Sequence, residues 1–92
     1  MEWRASHILV KDKALAEALR KQIVNGASFT ALAKEHSTCP SKSSGGDLGW
    51  FGPGKMVRPF EDAVKRLGHG SLSPVVSTQF GYHIIKRTGL KE

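Results

Sequence analysis

Residues 44–60, Ser-Gly-Gly-Asp-Leu-Gly-Trp-Phe-Gly-Pro-Gly-Lys-Met-Val-Arg-Pro-Phe, hold five of the chain's ten glycines and, between them, Leu48, Trp50, Phe51, Met56 and Phe60. A flexible linker is glycine-rich but poor in large apolar side chains. Here the two occur together, which predicts a compact bend in which glycines permit sharp backbone turns while the apolar residues form a surface. A surface of Leu, Met and Phe held by a rigid bend suits a small apolar guest. The rest of the chain then reads as the frame that supports this surface.

That frame is small. Ninety-two residues make one domain, residues 1–92, able to fold alone. No run of about 18 apolar residues predicts a membrane span, and the first residues lack the apolar core of a secretion signal. The lone cysteine, Cys39, excludes an internal disulfide and fits a reducing cytoplasm. A net charge of +6 permits contact with nucleic acid, anionic membrane or acidic protein. Its cations are spread from Arg4 to Lys91 without a block of five or six, the pattern of a solvated basic surface. Lys13, Arg20, Lys21 and Lys34 form the densest group. They lack the interleaved aromatics of a single-strand binder, so an anionic-surface role is secondary.

Residues 5–11, Ala-Ser-His-Ile-Leu-Val-Lys, read as a strand with His7 and Leu9 on one face and Ser6, Ile8 and Val10 on the other. Asp12 caps a helix whose apolar stripe is Leu15, Ala18, Leu19 and Ile23, with Lys13, Glu17, Arg20 and Lys21 facing away. Asn25-Gly26 ends it. Ser28 opens a second helix to about His36, with Phe29, Leu32 and Ala33 inward. Residues 37–44 are polar, contain Pro40 and read as a loop. Residues 47–51 form a short strand. Pro59 starts a third helix with Phe60, Ala63, Val64 and Leu67 inward, acids in its first turn and bases in its last. Residues 74–78 and 81–87 make a hairpin about Gln79-Phe80. The order β-α-α-β-α-β-β predicts an α+β sandwich, one sheet with helices packed on it.

His7 and His83 stand in similar contexts, His-Ile-Leu-Val and His-Ile-Ile-Lys. Neighbouring strands would set the two imidazoles side by side. Cys39 and Thr78 complete a polar cluster beside the glycine-rich bend. Three chemistries fit these residue types. A zinc site would use His7, Cys39, His83 and Asp47, although no two of them have the close spacing that usually nucleates one. A Cys39–His nucleophile would need an oxyanion hole that nothing in the sequence specifies. A structural histidine pair would only order the fold, donating to each other, to Thr78 or to backbone.

The segments His7-Ile-Leu-Val, Cys39-Pro-Ser, Gly45-Gly-Asp-Leu-Gly-Trp-Phe, Met56-Val-Arg-Pro-Phe60 and Thr78-Gln-Phe-Gly-Tyr-His83-Ile-Ile resemble, in order and spacing, the parvulin family of peptidyl-prolyl cis/trans isomerases. The resemblance runs from about Ala5 to Thr88. It implies a four-stranded antiparallel sheet wrapped by helices. It also implies a proline pocket of Leu48, Met56 and Phe60, with Phe80 at its edge, and a polar cluster of His7, Cys39, Thr78 and His83 behind it. The implied activity is X–Pro isomerisation in unfolded or partly folded protein clients by a monomer that needs no cofactor or metal. Family members that select phosphorylated Ser/Thr use a basic cluster in a long loop after the first strand. Here Lys11-Asp12-Lys13 leads straight into the helix, so phosphate selectivity is not expected, and an apolar or neutral residue is expected before the proline.

Overall fold

The computed structural model covers residues 1–92. Its elements are β1 (Glu2–Val10), α1 (Lys13–Val24), α2 (Phe29–His36), β2 (Asp47–Phe51), α3 (Arg58–Arg66), β3 (Val76–Thr78) and β4 (Gly81–Lys91), with a 3₁₀ turn at Pro40–Ser44. The order matches the sequence reading. All strands pair antiparallel, in the order β2-β1-β4-β3, so the first and last strands form the centre of the sheet. Helices cover both faces. Ile8, Val10 and Ile84 pack with Ala16 and Leu19 of α1 and Phe29 and Ala33 of α2. Trp3, Ala5 and Ile85 pack on the other face with Phe51 of β2 and with Phe60 and Val64 of α3. Alternation along β1 delivers the two sets, odd positions to α3 and even positions to α1 and α2.

Local chemistry sets the helix starts. The Asp12 carboxylate accepts from the Ala14 N–H (2.9 Å), and the Ser28 hydroxyl accepts from the Ala31 N–H (3.1 Å). The inward stripe of α1 differs from expectation: Ala16 and Leu19 are buried and Ile23 is partly so, while Leu15 and Ala18 are exposed. Ala16 is small enough to bring the helix close to the sheet, and that choice rotates Leu15 outward. Arg20, expected to face away, donates through Nε to the carbonyl of Ser73 (2.8 Å), tying α1 to the loop before β3.

The strand bounds also differ. β1 begins at Glu2, and β4 runs to Lys91. Between the pairs Arg4–Gly89 and Ala5–Arg87 one extra residue, Thr88, stands on β4. This bulge breaks the alternation that would mark the strand in sequence. Residues 74 and 75 lie outside β3, and Leu72 instead bridges to Lys86. Of the two tryptophans, Trp3 is core and Trp50 is 42% exposed, with the Lys91 ammonium 4.9 Å from its ring centre.

Candidate active site

The glycine-rich bend is a set of close approaches. Gly45 ends the 3₁₀ turn in the left-handed region (φ 67°), and Gly46 follows at φ 88°. The His7 N–H donates to the Gly46 carbonyl (2.9 Å), and a side chain on Gly46 would run into the His7 carbonyl oxygen. Only glycine lets the bend lie flat on β1 at the residue that carries the first imidazole. Farther along, the Gly54 N–H donates to Glu61 Oε1 (2.7 Å), while Glu61 Oε2 meets Lys65 Nζ at 3.2 Å. These bonds fasten the end of the bend to α3 and hold the Glu61 carboxyl below its usual range, the Gly54 bond contributing most.

Between the bend, the Cys39–Pro40 segment and the β3–β4 turn lies an open cleft of about 570 Å³. Leu48, Met56, Val57, Phe60 and Phe80 give it apolar walls, and His7, Cys39 and His83 line it as well. Thr78 stands behind, bonded to His83. The predicted binding residues and the predicted polar cluster therefore share one place. Phe60 differs in kind from the others: it is only 2% exposed and belongs to the core under α3. Its ring meets both imidazoles edge-on, at 5.5 Å from His7 and 5.4 Å from His83. The sequence reading overlooked Leu9, Thr38, Pro40, Lys55 and Val57, which also line the cleft.

His7 lies opposite Ile85, and His83 opposite Leu9, so the histidines are diagonal neighbours on one face. Their rings stack at 5.1 Å with Nδ1 facing Nδ1 at 2.9 Å, and His83 Nε2 meets Thr78 Oγ1 at 2.7 Å. The Phe80 N–H donates to the same hydroxyl oxygen (3.1 Å). Two proton arrangements satisfy this chain. Either Thr78 donates to His83 and His83 to His7, or His7 donates to His83 and His83 to Thr78. In both, His7 Nε2 is buried without a partner. Burial lowers both pKa values to about 4, and the neighbouring imidazole adds to the effect at His7. The pair is neutral at pH 7.

This geometry bears on the three chemistries open in the sequence. Asp47 does not join the cluster: its carboxylate holds Arg4 at 2.6 and 3.2 Å and accepts from the Gly49 N–H at 2.9 Å. The Arg4 bond holds its pKa below the usual carboxylate range. With Nδ1 of each histidine engaged with the other and His83 Nε2 engaged with Thr78, the imidazoles do not converge on a metal position. A thiol nucleophile lacks a base too. No hydrogen bond joins Cys39 Sγ to an imidazole, and a base of pKa about 4 is a weak acceptor for a thiol proton.

Cys39 is instead held by backbone. Ser37, 2% exposed, accepts at Oγ from the Leu9 N–H (3.1 Å) and the Cys39 N–H (3.4 Å). The Thr38 N–H and hydroxyl both donate to the Leu9 carbonyl (2.8 and 3.2 Å). This clamp fixes the Cys39–Pro40 segment to β1 beyond the end of β2. Its only sequence signal is a polar Ser-Thr pair after a helix.

Residues 7–89 match the rotamase family, the PPIC-type PPIase domain. The foldase protein PrsA of Geobacillus sp. (strain WCH70) is 54% identical over 90 residues, covering 97% of this chain and 33% of that protein. The chain thus spans about a third of the length of the curated relatives it matches. The crystal structure of peptidylprolyl isomerase PrsA from Bacillus anthracis superposes with a TM-score of 0.98 at 48% identity, over 99% of this chain and 42% of that one. The solution structure of NmPin, the parvulin of Nitrosopumilus maritimus, superposes with a TM-score of 0.85 at 44% identity, over 96% of both chains.

Proposed function

The chain belongs to the PPIC-type peptidyl-prolyl cis/trans isomerase family, the parvulins, and we propose that it isomerises X–Pro bonds without a covalent intermediate. The proline ring enters the cleft walled by Leu48, Met56, Phe60 and Phe80. The observation that carries this reading is an apolar cleft backed by two buried, neutral histidines.

Rotation about an X–Pro bond faces a barrier of about 18–20 kcal/mol, set by amide resonance. Each tenfold acceleration requires about 1.4 kcal/mol less. The twisted amide has lost resonance and is less dipolar than the planar one. An environment of low polarity that grips the ring therefore favours the twisted state over the planar ground state. A charged imidazolium beside the cleft would favour the planar dipole instead, so the neutrality of the pair belongs to the mechanism. Thr78 keeps that pair in place through its bond to His83. Cys39 contributes a weakly polar wall near the amide.

No phosphate selectivity is proposed, because the short Lys11–Lys13 connection offers no arginine fork. Clients are proline-containing segments of unfolded or partly folded proteins. Help with folding is supported by relatives named as foldases. A reducing, cytoplasmic setting, for which the lone Cys39 is the basis, and a monomeric state complete the reading. Contact with an anionic surface through Lys13, Lys21 and Lys34 stays secondary, since Arg20 is committed to Ser73.

The test is NMR exchange spectroscopy on Ala-Leu-Pro-Phe. The protein accelerates exchange, and Met56→Ala, which strips a partly exposed cleft wall, reduces the acceleration while the protein remains folded. Phe60→Ala is a poor control, because emptying that buried position costs about 3–5 kcal/mol. A folded parent that leaves exchange at its uncatalysed rate overturns the proposal and favours a module that binds proline segments without turning them over.

A further inference from the structure

Two cations line the cleft, Lys11 from the end of β1 and Lys55 from the bend, and no carboxylate does. With the histidines neutral, these ammonium groups set the charge of the site at pH 7. The nearest acids in sequence are engaged elsewhere. Asp12 accepts from the Ala14 N–H, and Glu61 is held by the Gly54 N–H and by Lys65. Neither Lys11 nor Lys55 has an acidic partner, whereas Arg4, Arg58 and Lys65 do. Lys11 Nζ also donates to the Phe80 carbonyl at 3.3 Å, at the rim of the cleft. An ammonium has three N–H donors, so two remain for a ligand.

Resting on the isomerase reading, we propose that Lys11 and Lys55 make this site prefer prolines flanked by an acidic side chain. The sequence led to the opposite expectation, a neutral residue before proline, because it showed only Lys11 beside Asp12. The fold adds Lys55 from 44 residues away in sequence, and the Asp12 carboxylate is engaged as the helix cap. The preference is for negative charge and not for phosphate as such. A lysine is a point charge on a flexible stem, without the planar fork that grips a phosphate or carboxylate in two places. Both side chains are exposed, so each pair is screened and contributes a small factor, about two- to fivefold in rate per lysine at low salt.

The experiment measures kcat/KM on Ala-X-Pro-Phe peptides with X as Leu, Gln, Glu and phosphoserine, and on Ala-Ala-Pro-X with X as Gln and Glu. Each is run at low and high salt, with the parent protein and with Lys55→Gln. Lys55 is the cleaner variant, since Lys11 also holds the Phe80 turn. The expected result is a Glu-over-Gln ratio of at least about twofold at one of the two positions, shrinking in high salt and in Lys55→Gln. A ratio below twofold at both positions, or one that neither salt nor Lys55→Gln alters, overturns the proposal. A phosphoserine peptide turned over tenfold or more faster than the Glu peptide overturns the charge-only account and points to a dedicated phosphate site. The peptide set separates the two readings: if none of the peptides is accelerated, the isomerase assignment fails, whereas acceleration of the Leu peptide without a Glu preference removes only the role of the lysines.

Discussion

Acidification tests the neutral histidine pair directly. His7 and His83 have folded pKa values of about 4 against 6.5 for an exposed imidazole, because burial disfavours the charged ring. Between those values the unfolded chain binds protons that the folded chain does not, so stability falls as pH falls. Each pH step of one below 6.5 costs about 1.4 kcal/mol per histidine, so each removes about 2 kcal/mol between pH 7 and pH 5. The two together remove roughly 3–4 kcal/mol, a large part of the ~5–15 kcal/mol typical of a domain. Geometry adds to the effect. One proton can sit between the two Nδ1 atoms, but a second would set two N–H groups face to face across 2.9 Å. Asp47 and Glu61 have lowered pKa values, so what they contribute is lost only at lower pH, below the ordinary carboxylate range. Urea unfolding at pH 7, 6 and 5, with imidazole NMR shifts followed alongside, reads both quantities. Stability level from pH 7 to pH 5, or His7 and His83 titrating near 6.5 in the folded protein, refutes the reasoning.

Two further substitutions probe how the site is held. Gly46→Ala forces a left-handed residue and drives a methyl group into the His7 carbonyl, which costs about 2–4 kcal/mol and displaces the first imidazole; a loss under 1 kcal/mol with unmoved His7 resonances contradicts this. Ser37→Ala leaves the part-buried Leu9 N–H without its acceptor, for about 1–2 kcal/mol. It also frees the Cys39 segment, so kcat/KM falls beyond what the folded fraction explains, and Ser37→Thr recovers part of both. Wild-type activity in a destabilised Ser37→Ala would assign the serine to stability alone.

What the sequence disclosed follows from how local each signal is. Asp12, Ser28 and Pro59 mark helix starts through contacts within a turn, and β2 stands out by its flanking glycines. The histidines could be set side by side because His7-Ile-Leu-Val and His83-Ile-Ile-Lys read as similar strands, an inference that holds because β1 and β4 are neighbours. The stripe of α1 was misread because several alanines and leucines fit a helical period, and only the sheet decides that Ala16 faces inward. Thr88 hid the end of β4, since one inserted residue reverses the alternation. The clamp of Ser37 and Thr38 on Leu9 and the placement of Lys11 and Lys55 along one cleft are long-range arrangements of ordinary polar residues. Such arrangements exist only once the chain has folded, so neither was legible in the sequence.

The central claim is that the cleft turns the X–Pro bond by its polarity and grip, with no bond formed to Cys39. The most direct measurement is the exchange rate of Ala-Leu-Pro-Phe with Cys39→Ser, a change of one atom in a partly buried wall residue. The account predicts that the variant, folded as shown by its NMR spectrum, keeps at least about a tenth of the parent's acceleration, a barrier change within about 1.4 kcal/mol. A folded Cys39→Ser that leaves exchange at the uncatalysed rate would contradict it and restore the thiol as a nucleophile.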